Sequence, residues 1–398
     1  MTDLLRIAAA FGLIVLLLRM RWNFGAVMLA ASLFLGTLYV LGPLTQLKVI
    51  FRGILDPVTI NLVTGLVLIM VLENIIRKRG VLKAMIGSVV NVARDRRIAM
   101  AVLPGVIGLL PSAGGAAFSA PMVQEAAADA DMAPEHKAFI NYWFRHIWEY
   151  ISPLYPGVIL AAAVTQMPIN DFLLSQLPLP LAVVGIGALL GFRSLKPEKI
   201  QGRRDWNEVR TLFLTLLPIM ASVALVIVFK LPLALAMILV VAALFLYYRY
   251  SPPEILTTLR ESFSLNIVLM TAGIMVFKGM LEASGAIQAL PLFIRESGLP
   301  PSMVLFALPF IVGLLTGLTV GFVGATFPII MAMTGGHPSS GDVTFAFASG
   351  FAGVMLSPTH LCLALTLQYF KADMAGTYRL LYLPIALVFL AGLIRLWV

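Results

Sequence analysis

The sequence predicts an all-α polytopic membrane protein of about ten transmembrane helices plus two re-entrant helical hairpins, set in two inverted-topology repeats with broken helices. Three observations lead there. Of the 398 residues, 60% are hydrophobic and 12% charged, and the apolar residues fall in runs long enough to cross a hydrocarbon core of about 30 Å. The segment 61–153 recurs 205 positions later: Asn61, Gly80, Pro104, Gly108 and Ser152-Pro153 are answered by Asn266, Gly285, Pro309, Gly313 and Ser357-Pro358. Apolar residues recur by chance in so hydrophobic a chain, whereas Asn, Gly, Pro and Ser-Pro holding one offset are harder to dismiss. Gly and Pro interrupt both copies at matched places, the mark of a secondary transporter built from repeats.

The first apolar run, 4–18, has the length of a signal-peptide core, but no small-residue cleavage site follows and it reads as a mature helix. Spans 24–42, 57–76, 138–165 and 178–192 complete the first repeat, 1–192; spans 211–229, 231–248, 262–281, 343–370 and 380–397 form the second, 211–398. Two further stretches, 98–128 and 302–332, are too short to cross twice and carry Gly and Pro at their centres, so each reads as a hairpin that enters and leaves on one side. Five crossings per copy invert the second copy, and 193–210 is the charged linker. The basic residues agree: with 77–97 and 193–210 on the cytoplasmic side of the cell (inner) membrane, 20 of the 28 Lys and Arg lie inside. That placement accounts for the net charge of +9 without nucleic acid. The single cysteine, Cys362, excludes an intramolecular disulfide, and no His/Cys cluster has the spacing of zinc or haem ligands.

Candidate binding loops follow from the breaks. In a bilayer every unpaired backbone group is costly, so glycine-rich interruptions with hydroxyls survive where protein, water, ion or substrate satisfies them. The first hairpin offers Ser112, Gly114, Gly115 and Ser119, and the second offers Thr319, Gly324 and Thr326. The plainer reading is that small residues let helices pack closely. At Ser152-Pro153 and Ser357-Pro358-Thr359-His360 the proline stops a helix, and Ser-Pro is a favoured helix start. Half-helices beginning at Pro153 and Pro358 would point positive dipole ends into the membrane, suited to an anion; the alternative is a simple kink. Arg145 and Glu149 stand four apart on one helix face, either as a structural ion pair or as a working pair in which Arg145 attracts an anion and Glu149 or His146 carries a proton. His360 replaces Tyr155 at the repeat offset and is a substrate ligand, a proton site or a packing histidine. Asn61 and Asn266 are expected to hydrogen-bond between helices, and Glu73, Lys278 and Glu282 to snorkel near span ends. Hydrolase, phosphate-loop and metalloprotease motifs are lacking, and nothing pairs Ser119 or Ser152 with His146 as nucleophile and base.

These features resemble the ion transporter superfamily of divalent-anion/sodium symporters, citrate and gluconate permeases and sodium/proton antiporters. More closely, Pro111-Ser-Ala-Gly-Gly, Phe118-Ser-Ala-Pro-Met and Tyr142-Trp-Phe-Arg-His-Ile-Trp-Glu-Tyr resemble a membrane family called domain of unknown function 401. The resemblance implies a homodimer working as an elevator, with a scaffold (4–76 and 211–281) and a moving domain of hairpins, broken helices and spans 178–192 and 380–397. It also implies sodium near Ser112, Ser119, Thr319 and Thr326. The dicarboxylate branch carries Ser-Asn-Thr in each hairpin; neither hairpin here contains Asn, which leaves sodium and proton coupling both open. The expected function is secondary active transport of a small, carboxylate-like organic anion across the lipid bilayer, with no enzyme activity and no cofactor beyond a coupling sodium ion. The rival on the same fold is a cation/proton antiporter; the rival of another class is an intramembrane enzyme or a subunit serving a partner.

Overall fold

The computed structural model describes residues 2–20, 22–93, 95–111, 115–127, 132–193, 195, 206–285 and 300–397. Every described element is a helix. Six are long and apolar enough to cross a membrane: Pro57–Lys78, Ile169–Gly191, Trp206–Ile227, Leu265–Ala283, Ser340–Phe370 and Met374–Ile394, the first and fifth each more than half buried by other helices. Other expected spans are shorter. Phe24–Leu38 and Leu233–Tyr247 have 15 residues each, about 22 Å at 1.5 Å per residue. The expected crossing 138–165 is divided into Pro134–Arg145, a 3-10 turn Ile147–Tyr150, and Pro156–Thr165. Most of the linker 193–210 lies outside the described residues; its end is already helical from Trp206.

Three stretches that the apolar-span reading left as connections are helices: Pro43–Leu55, Val81–Val92 and Pro252–Ser262. They escape a search for long apolar runs because polar residues interrupt them, and Pro43–Leu55 buries no residue at all. Local chemistry explains the starts. Proline occupies the first turn at Pro43, Pro57, Pro134, Pro156, Pro252 and Pro301, where its fixed φ suits a helix and its missing N–H is not needed. Asp56 caps the Val58 N–H, and Asp95 caps Arg97 at the base of the first hairpin. The Arg97 side chain hydrogen-bonds back to Asp95 and holds its carboxyl below the usual range.

Several helices of the two halves pack in corresponding ways. Phe24–Leu38 packs on Leu265–Ala283, as Leu233–Tyr247 packs on Pro57–Lys78. Each hairpin is a helix pair, Arg96–Ile107 with Gly115–Ala126 and Pro301–Thr316 with Thr319–Met333. The first member lies against its own half's interrupted helix, Pro134–Arg145 or Ser340–Leu356. The second crosses to the other half: Gly115–Ala126 meets Leu361–Phe370, and Thr319–Met333 meets Pro156–Thr165. The closest approach recurs as well. A Cβ on Gly108 would stand 2.1 Å from the Arg145 carbonyl oxygen, and one on Gly313 would stand 2.1 Å from that of Gly350. Asn61 accepts from the Ala234 N–H at 3.0 Å and Asn266 from the Asn23 amide at 2.8 Å, so both bridge helices as expected.

Candidate functional site

The interrupted helices resume later than Ser-Pro suggests. After Ser152-Pro153 the chain takes a turn and the helix restarts at Pro156; after Ser357-Pro358 it restarts at Leu361. The half-helices therefore do not begin at Pro153 and Pro358. The serines stabilise the turns, Ser152 Oγ accepting from the Leu154 N–H and Ser357 Oγ from that of Thr359. The residues that close the turns against the hairpins are the unmatched pair. Tyr155 donates its hydroxyl to the Gly108 carbonyl, and His360 donates Nδ1–H to the Gly317 carbonyl at 2.6 Å. Pro358 and Thr359 are exposed, while Ser152, Pro153, Ser357 and His360 are buried.

The two halves differ before the break. Ser340–Leu356 runs unbroken to its Ser-Pro, but Pro134–Arg145 stops at Arg145 and Glu149 sits in the 3-10 turn. Arg145 and Glu149 thus do not share one face of a continuous helix, and they reach different partners. Arg145 is 2% exposed; its Nε donates to Cys362 Sγ at 3.5 Å, and its guanidinium lies where a Cβ on Gly115 would be, 2.2 Å from Nη1. Glu149 accepts from the Thr319 hydroxyl at 2.9 Å, and its other oxygen lies 3.7 Å from His146 Nε2. His146 and His360 meet at 3.0 Å through Nε2. Five polar side chains from both breaks, joined by Thr319 from the second hairpin, therefore form one buried cluster. Isolated, such charges would each cost several kcal/mol, and here they lie among polar partners. Tyr142, Tyr150 and Phe351 wall the histidine pair with rings 4.5 to 6.2 Å apart.

The remaining predicted residues are placed differently. Ser112 and Gly114 lie outside the described residues. Ser119 donates to the carbonyls of Gly115 and Ala116, and Thr326 to that of Phe322, so both hydroxyl hydrogens are used within their own helices. Gly324 is not at a tip and has an ordinary helical backbone; a Cβ there would strike the Ile274 side chain at 2.4 Å, so it serves helix packing. The glycine at the second tip that requires a left-handed backbone is Gly317, φ +63°. Cys362, Tyr155 and Asn141, which hydrogen-bonds Thr366 at 2.9 Å, were not singled out from the sequence. Apolar neighbours hid Asn141, whereas Tyr155, at the repeat offset from His360, and Cys362, two residues past it, carried a usable signal.

The sequence model of a family described as protein of unknown function (DUF401) matches residues 4–398. The chain belongs to the DUF401 family. No curated protein matches it.

Two cavities of this DUF401 chain border the break at 152–156. One of about 880 Å³ is lined by Arg52, Asp56, Asn61, Pro153, Gln166, Lys278 and Glu282. Another of about 420 Å³ is lined by Glu73, Asn74, Arg77, Pro111, Phe118, Pro156 and Glu261. Glu73, Lys278 and Glu282 therefore line these cavities. Pro153 and Pro156 belong to the same short break yet open on different cavities.

Proposed function

We propose that the chain is a secondary active transporter of the elevator type, moving a small carboxylate-like organic anion coupled to sodium or protons. The observation that carries this reading is the break at 152–156: Pro153 lines one cavity and Pro156 another, each with charged residues in its wall, and the buried guanidinium of Arg145 lies against the first hairpin and the second interrupted helix. In a membrane domain an ionisable side chain marks a substrate or ion pathway, and a planar guanidinium suits a carboxylate. In the orientation that keeps 77–97 in the cytoplasm, the larger cavity opens outward and the smaller inward, on the two sides alternating access requires. The paired packing of hairpins and interrupted helices at one sequence offset supports two inverted repeats, 1–192 and 211–398, with hairpins and broken helices as the mover and the helices of 4–76 and 211–281 as the scaffold of a homodimer.

The test uses purified chain in liposomes. An imposed sodium or proton gradient is expected to drive uptake of a labelled carboxylate, and Arg145→Gln to abolish it while leaving the protein monodisperse. Proton movement exchanged for sodium without any anion would replace this reading with the antiporter; lipid or peptide turnover with no transport would replace it with an enzyme.

A further inference from the structure

His146, at the end of Pro134–Arg145, and His360, just before Leu361–Phe370, belong to different interrupted helices, yet their Nε2 atoms stand 3.0 Å apart with both side chains buried. Backbone carbonyls determine their tautomers. His146 Nδ1 lies 2.5 Å from the Tyr142 carbonyl oxygen and His360 Nδ1 lies 2.6 Å from that of Gly317. A carbonyl oxygen only accepts, so each Nδ1 carries the hydrogen. In neutral rings both Nε2 atoms then present lone pairs to each other, which repel in a buried site unless a cation lies between them. A histidine whose Nδ1–H is anchored on a carbonyl while Nε2 points inward is the form that coordinates metal.

Cys362 supplies a third donor. The ligand atoms of His146, His360 and Cys362 all lie within 4.8 Å of one another, and all three residues are buried. Glu149 adds an oxygen 3.7 Å from His146 Nε2, its other oxygen being held by Thr319. We propose that His146, His360 and Cys362 form a binding site for a thiophilic late first-row metal ion, with zinc as the tested form and Glu149 at the fourth position. Two imidazoles and a thiolate select such an ion over sodium, magnesium or calcium, which prefer oxygen. Tetrahedral zinc with Zn–N of about 2.0–2.1 Å sets two nitrogens about 3.3 Å apart, so the observed pair would open by only about 0.3 Å. Binding exchanges the thiol proton of Cys362, released to solvent, for a sulfur–metal bond and ties the two interrupted helices together. The cluster is confined to one side of the repeat, since Phe351 answers His146 and Gly157 answers Cys362. It stands whether or not the chain carries an anion.

The test titrates chelator-treated full chain in detergent with cobalt and then zinc. Expected are one cobalt per chain, a thiolate-to-cobalt charge-transfer band, and displacement by zinc. Because the chain has a single cysteine, that band reports Cys362 alone. Cys362→Ala and His360→Ala are each expected to remove it. If either variant fails to fold, wild type decides: zinc at ten times its Kd should slow the reaction of Cys362 with a small, membrane-permeant thiol reagent about tenfold. Folded wild-type chain with neither band nor zinc protection overturns the proposal and leaves a shared proton between the nitrogens. A band surviving Cys362→Ala overturns it equally.

Discussion

Arg145 is approached by two glycines whose replacement has different consequences. At Gly108 the obstructing atom is the Arg145 carbonyl oxygen, 2.1 Å from where a Cβ would stand, and backbone cannot yield without separating the hairpin from the interrupted helix. At Gly115 it is the end of the Arg145 side chain, which can swing aside. Gly108→Ala is therefore expected to destabilise by about 1–3 kcal/mol, and Gly313→Ala by a similar amount because it meets the Gly350 carbonyl oxygen at the same 2.1 Å. Thermal unfolding in detergent measures both. Gly115→Ala is expected to leave the melting temperature nearly unchanged and to remove anion uptake in liposomes; wild-type uptake in that variant would show that Arg145 is not the counter-charge. The sequence marked Gly115 as special because of its glycine-rich surroundings, but what occupies the missing side chain's place belongs to a residue 30 positions away.

Among the elements, the second hairpin separates backbone need from packing need. Gly317 adopts φ +63°, and a Cβ there would lie 2.8 Å from the His360 backbone nitrogen. Alanine at this position carries the left-handed penalty of about 1–2 kcal/mol as well as a clash with backbone. Gly324 has helical angles, and a Cβ there would meet side chains, the flexible end of Ile274 at 2.4 Å and then the Phe24 ring at 3.3 Å. Gly324→Ala should therefore recover its melting temperature when combined with Ile274→Ala, whereas Gly317→Ala should not recover with any side-chain truncation nearby; recovery of both would show that side-chain packing governs both positions. The presence of the two breaks was legible in Ser-Pro because proline acts on its own turn. Their extent was not, because the Tyr155 and His360 contacts that end them reach to hairpin carbonyls more than 40 residues away in sequence.

For the whole molecule, the two cavities make orientation testable. Glu282 lines the larger and Phe118 the smaller. In intact cells Glu282→Cys should react with a membrane-impermeant maleimide, and Phe118→Cys only after the cells are opened, since native Cys362 is buried and gives little background. Labelling of both from the same side would refute the arrangement of cavities on opposite faces.

The sequence by itself determined that the chain is helical, apolar enough for a membrane, and interrupted by Gly and Pro at places one constant offset apart, because hydropathy, proline stops and an offset are properties of local residues. Only the tertiary structure decided that Arg145, His146, Glu149, His360 and Cys362 converge, that Arg145 and Glu149 part company, and that Gly324 packs while Gly317 turns. Those outcomes depend on which helix of one half crosses to the other, and distances between such helices are set by packing across the repeat rather than by spacing along the chain.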